Sequence, residues 1–199
     1  MDYYHTIETS AVAEFKDRGS KFLAFSFPVK ETSDCKKFLQ KLKKEHPKAT
    51  HHCFAYRIGT DRNIFRSSDD GEPSGTAGKP ILGQIDSKNL TNILIVVVRY
   101  FGGSLLGVPG LIHAYKTASS LVLQCTPVVR KPIEIFYELK FNYTEINEVM
   151  RIIKQFNCTV VKNEMQLFCL VETGIPKNKI NEILSALKNI KNLELSELK

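Results

Sequence analysis

Carboxylates, a lysine and an arginine set among glycines are the residues of this chain whose types and spacing could do chemistry. They fall in two runs, SSDDGEPSGTAGKP over 67–80 and RYFGGSLLGVPGL over 99–111. In the first, Asp69, Asp70 and Glu72 surround Gly71 and precede Gly75, Gly78 and Lys79, a composition of tight turns that exposes carboxylates and backbone N–H groups. In the second, Arg99 and Tyr100 follow an unbroken apolar strand, Ile93 to Val98, and Gly102, Gly103 and Gly107 lead into a helix start at Pro109. A strand feeding a glycine-rich turn and then a helix is where α/β-type proteins place ligands. With Asp69, Asp70 or Glu72 as base and Arg99 and Lys79 as charge stabilisers, these residues would suit an enzyme acting on a small phosphorylated or anionic substrate.

Familiar catalytic patterns do not fit. A phosphate-binding P-loop ending at Gly78-Lys79 needs a glycine where Pro73 stands and a hydroxyl where Pro80 stands. Gly102 and Gly107 have the spacing of a dinucleotide fingerprint, but Ser104 replaces its middle glycine and no ribose-binding acid follows. His51, His52 and Cys53 add metal-ligating types without metal-ligand spacing, and adjacent histidines on a strand point to opposite faces. The sequence therefore assigns no catalytic set, no metal and no cofactor.

The elements that must position these runs can be read from periodicity. Extended segments are predicted at Thr6 to Thr9 and Lys21 to Val29, with Leu23, Phe25, Phe27 and Val29 as the core face and a turn or hairpin end within Phe15 to Phe22. Thr32 or Ser33 caps a helix whose apolar stripe is Cys35, Phe38, Leu39 and Leu42 and which ends at Pro47. Its other face is Lys36, Lys37, Lys41, Lys43 and Lys44, a candidate nucleic-acid patch. His51 to Ile58 alternates as a strand with a hairpin companion at Asn63 to Arg66. A helix starts near Pro80, and Leu111, Ala114, Tyr115, Ala118, Leu121, Val122 and Cys125 trace a longer one. Beyond Pro127 the order is β-α-β-β-α-β, the split βαβ of ferredoxin-like domains, with a hairpin turning at Asn163. The predicted domains are 1–127, carrying both runs, and 128–199.

Composition narrows the setting. The chain has 199 residues, enough for two small domains, with 43% hydrophobic and 25% charged residues. No apolar run is long enough to span a membrane and the first residues resemble no secretory signal, so a cytoplasmic location without a membrane partner is expected. Five scattered cysteines without a C-x-x-C pair read as small buried apolar residues. The net charge of +7 is concentrated early: 18 basic and 12 acidic residues lie up to Arg130, against 10 and 9 after it. A basic domain is the footprint of a nucleic-acid or acidic partner.

Taken together, the two runs are more specific than either alone. Asp-Gly-Glu-Pro at 70–73, Gly75-Thr76, Gly78-Lys79-Pro80, Arg99-Tyr100-Phe101-Gly102-Gly103, Leu106-Gly107 and Gly110-Leu111, with His52 and Ala55-Tyr56-Arg57 upstream, closely resemble the signature of the Impact/YigZ family. His113 departs from it, standing where relatives commonly carry a basic residue. The resemblance implies an α+β protein with a first domain of the ribosomal-protein S-five domain-two type, a fold shared with a domain of elongation factor G. It implies a ferredoxin-like second domain, also similar to part of that factor. Eukaryotic relatives are translation regulators that interfere with activation of an amino-acid-starvation kinase, and they carry an extra N-terminal domain; this chain is similar to the bacterial form.

The expected function is translation-associated regulation, through binding of RNA or the ribosome by the basic first domain. The alternatives are the enzyme above and a protein-interaction module that mimics part of an elongation factor. The expected binding surface comprises His52, Arg57, Asp69, Asp70, Gly71, Glu72, Lys79, Arg99, Tyr100, Gly102, Gly103 and Gly107. The two runs are expected to meet on one exposed face, with Arg99 open to a partner.

Overall fold

The computed structural model describes residues 2–198. The chain divides into two compact units, Tyr4–Lys131 and the segment from Pro132 onward, the latter joined by the first residues of the chain. The passage between units lies four residues beyond the predicted boundary. The reason is pairing: β1 (Tyr3–Ile7) and β7 (Val128–Pro132) form a two-stranded ribbon, which holds most of β7 with the first unit.

In the first unit β2 (Ala11–Asp17), β3 (Ser20–Pro28), β4 (His51–Ile58), β5 (Ile64–Ser68) and β6 (Ile93–Tyr100) make an antiparallel sheet in the order β2-β3-β6-β4-β5. Central β6 is buried from Ile93 through Arg99. Its side chains alternate between two cores. Ile93, Ile95 and Val97 join Phe22, Ala24, Cys53 and Ala55 under α2 (Gly78–Ser87) and α3 (Gly107–Gln124). Leu94, Val96 and Val98 join Phe27, Tyr56 and Ile58 under α1 (Thr32–Glu45), which contributes Cys35 and Leu42. Each fully buried aliphatic side chain here contributes roughly 1.5–3 kcal/mol.

A sheet covered on both faces also explains where the expectation for β3 falls short. Phe27 and Val29 are core, but Leu23 and Phe25 are only partly buried, whereas Phe22, Ala24 and Ser26 on the other face are fully enclosed. Helices α2 and α3 cover that second face, and nothing within β3 itself announces them. Cys125 is a further correction, being exposed where the last turn of α3 runs out. Cys35, Cys53 and Cys169 are buried and Cys158 is partly so.

The second unit is the predicted β-α-β-β-α-β series: β8 (Glu134–Asn142), α4 (Ile146–Gln155), β9 (Thr159–Met165), β10 (Phe168–Pro176), α5 (Ile180–Lys188) and β11 (Glu194–Glu197). Its sheet order is β11-β8-β10-β9 and every neighbouring pair is antiparallel. Helices α4 and α5 bury Val149, Ile152, Ile153, Ile183 and Leu187 against Leu139, Phe141, Val171 and Ile175. The β9–β10 hairpin is longer than read from sequence. It turns at Gln166 and Leu167, and Asn163 lies within β9, paired with Val171.

Candidate functional site

The DGEP run leaves the end of β5 and must reach the start of α2, and Asp69 fixes that path. One of its carboxylate oxygens accepts the backbone N–H of Gly75 at 2.9 Å; the other accepts those of Ala77 at 3.0 Å and Gly78 at 2.8 Å. Donors at the start of a helix have no partner within it, so the carboxylate satisfies groups the fold would otherwise leave orphaned. Burial alone pushes the Asp69 carboxyl up. The three backbone donors and Lys79 outweigh it and hold the group below the usual carboxylate range.

Asp70, with φ of +43°, turns the chain back toward β4. Its carboxylate accepts the His52 backbone N–H at 2.7 Å, its carbonyl accepts His51 Nδ1–H at 2.8 Å, and its other carboxylate oxygen lies 3.4 Å from Lys43 Nζ on α1. His52 is buried beside it, and desolvation, with Asp70 opposing, lowers the affinity of the ring for a proton.

Glu72 points inward. Its side chain is 3% exposed and that of Arg99 is 6%, and they meet at 2.6 Å. The same Glu72 oxygen accepts the hydroxyl of Tyr115 at 2.8 Å, and the Tyr115 ring lies wholly inside the α3 core. Burial pushes the Tyr115 phenol far above its ordinary range and the neighbouring Cys53 thiol up to about 12. Arg99 also reaches Ser20 Oγ at 3.4 Å and lies over the rings of Phe22 and Phe101. A line of buried polar groups thus links β4, the DGEP run, β6, α3 and the start of β3.

Glycine matters most at Gly102. A Cβ there would lie 1.9 Å from the carbonyl carbon of Gly19 and 2.2 Å from Ser20 N, so only glycine lets the RYFGG run close on the β2–β3 turn. The Gly102 N–H donates to Ser20 Oγ at 3.2 Å. Gly71 and Gly103 take positive φ within the loops themselves, and Gly107 does so as the first residue of α3.

The two runs therefore meet, but the groups expected on their surface divide. Glu72 and Arg99 are buried and engaged with each other, which corrects the expectation of an exposed acid and an arginine open to a partner. Arg57 stands apart from the cluster. It sits toward the other end of β4, where Nε and Nη2 grip both Asp86 oxygens at 2.6 and 2.9 Å and Nη1 donates to the Arg62 carbonyl, fastening α2 to the sheet. Tyr100 shares a 2.8 Å hydrogen bond with His46 at the end of α1. Lys79 is exposed.

Solvent meets something else at the second run. Phe101, Leu105, Val108 and Ile112 are 47%, 84%, 53% and 39% exposed. Sequence reasoning passed over Leu105, Val108 and Ile112, took Phe101 only as part of the signature, and read Tyr115 as one more apolar position of a helix stripe. A hydroxyl on an otherwise aliphatic stripe was the available signal, since a buried phenol needs a partner. Among the described residues, no group of three or more His, Cys, Asp or Glu side chains is arranged to hold a metal ion.

Both Asp69 oxygens are taken by backbone donors, and the Glu72 oxygen nearest the cluster is shared by Arg99 and Tyr115. The Impact N-terminal domain model matches residues 18–123, the stretch that contains every group just described. The chain belongs to the IMPACT family. It is 34% identical over 170 residues to the IMPACT family member YigZ of Escherichia coli, covering 84% of this chain and 83% of that one. A crystal structure described as that of a hypothetical protein superposes with a TM-score of 0.78 at 30% identity, covering 100% of this chain and 98% of the other. The two-domain translational regulator Yih1 is 30% identical over 58% of this chain, with a TM-score of 0.39. No helix among the described residues is long and apolar enough to cross a membrane.

Proposed function

We propose that this chain is a translation-associated regulatory protein whose first unit binds RNA, free or in the ribosome, through the lysine face of α1 and the adjoining signature loop. The observation that carries this reading is the inward turn of Asp69 and Glu72. Asp69 is bound by the backbone donors at the α2 start and Glu72 by Arg99, so of the three acids of this loop only Asp70 faces the lysines, 3.4 Å from Lys43. Lys43 joins the two regions through Asp70, and Lys36, Lys37, Lys41, Lys43 and Lys44 are all exposed. Partial neutralisation by Asp34 at 3.7 Å from Lys37 and Glu45 at 3.8 Å from Lys41 is weak, because exposed pairs of that geometry are screened. Family kinship supplies the translation context, and phosphate is the chemistry that a lysine face recognises.

A second reading is favoured by the exposed Phe101, Leu105, Val108 and Ile112, which suit a protein partner. Pull-down from cell lysate across a salt series separates the two. Ribosomal particles or RNA lost steeply as salt rises support the first reading. A protein retained at high salt and lost on Leu105→Asp supports the second and contradicts the first. A cytoplasmic setting is part of the proposal, since ribosomes and their RNA are found there.

A further inference from the structure

The second unit carries a surface that this function does not use. Strand β9 (Thr159–Met165) forms one edge of the sheet, and all seven of its residues are exposed. Val160, Val161 and Met165 are 40%, 60% and 37% exposed there. An edge strand of this length leaves a row of backbone donors and acceptors open to another strand, and proteins usually blunt such edges with charge or a bulge. Here both devices are present: the pairing with β10 shifts register at Glu172/Thr173, and Lys162 and Glu164 lie 2.9 Å apart on one face of β9.

Those charges do not repel every partner. The segment Val161-Lys162-Asn163-Glu164-Met165 has its character mirrored about Asn163. In an antiparallel pair of two identical strands centred on Asn163, Lys162 of each copy stands opposite Glu164 of the other. Val161, next along, is the residue that the register shift leaves without a β10 partner, so the regular stretch is Lys162–Met165. Directly opposed side chains share a face, so the two ion pairs gather on one side of the joined sheet, with Asn163 and Met165 on the other. Any other in-face register sets like charges together or leaves a charge against an apolar group.

We propose that a second copy of this chain docks on β9 by this two-fold antiparallel pairing, joining two four-stranded sheets into one of eight strands. The contact is isologous and closes on itself, so it gives a dimer and not a filament. Its short regular stretch, bounded by the register shift, makes the dimer dependent on protein concentration.

Sedimentation of the full chain over a concentration series tests this. The wild type is expected to approach twice 22.6 kDa as concentration rises. Lys162→Glu and Glu164→Lys each place like charges opposite one another and are expected to remain monomers at concentrations where the wild type is dimeric. Mixing the two variants restores opposite charges across the pair and should return the dimer mass, as should the double exchange within one chain. A wild type that stays monomeric at its highest soluble concentration overturns the proposal, as do single variants that dimerise like the wild type. Failure of the mixed pair to associate also overturns it, because the register would then be wrong.

Discussion

At the scale of single residues, the account turns on Glu72 and Arg99. Removing one partner of a buried pair leaves the other charged and without compensation, at a cost of about 3–5 kcal/mol. Arg99→Ala and Glu72→Ala are therefore expected to lose stability of that order in urea unfolding, and Tyr115→Phe less, since Glu72 keeps Arg99. An Arg99→Ala protein of wild-type stability would show that the pair does not hold the runs together. Asp69 gives a pH signature. Its carboxyl sits below the ordinary value of 3.8 in the folded state, so its contribution is complete above that pH and is lost as pH falls through the depressed value. Asp69→Asn should be less stable than the wild type at pH 7, with the difference shrinking below about pH 4. An unchanged gap down to pH 2 would place the stabilisation elsewhere. The sequence marked these residues as special by type and spacing, yet it read the acids as exposed. Composition tells that a loop is polar, but the direction of each carboxylate depends on which N–H groups and cations the fold brings within 3 Å.

At the scale of elements, Gly102 is the closest joint between the signature and the sheet. Gly102→Ala must displace the backbone of Gly19 and Ser20, whereas at Gly103 a Cβ meets nothing within 4 Å and the penalty is the positive φ of 86° alone. The first variant is expected to unfold or lose native packing, and the second to cost about 1 kcal/mol. Equal losses in thermal unfolding of the two variants would remove close packing as the reason for glycine at 102. The elements themselves were legible because their periods are strong: the stripe of α1, the apolar run of β6 and the helix of residues 107–124 all lie where their patterns put them. Faces were less so. In β3 both sets of alternating residues are apolar or small, and choosing between them needed the knowledge that helices cover both sides of the sheet. The hairpin of the second unit misled for a related reason, since Asn163 is a turn former by type but occupies the middle of β9 at an exposed edge, where polarity costs nothing.

At the scale of the whole molecule, the positive charge of the first unit supports the proposed function because, of the three acids in the adjoining loop, Asp69 and Glu72 are engaged internally and only Asp70 meets a lysine of α1. Under the proposed function, phosphate would neutralise the exposed lysines of α1 with release of counterions, Asp34, Glu45 and Asp70 already offsetting part of their charge. That charge was visible in the sequence, as was the pairing of the two runs, while the exposed Phe101, Leu105, Val108 and Ile112 were not, because an apolar residue near a helix start reads as core until its neighbours are known. The most direct measurement is the affinity of the full chain for ribosomal RNA as a function of salt, compared with Lys36→Ala/Lys37→Ala/Lys41→Ala. The account predicts a linear fall of log affinity with log salt for the wild type and a slope reduced by about two to three in the triple variant, with its folded stability unchanged. A folded triple variant with the wild-type slope, or a wild type whose affinity does not respond to salt, would contradict it.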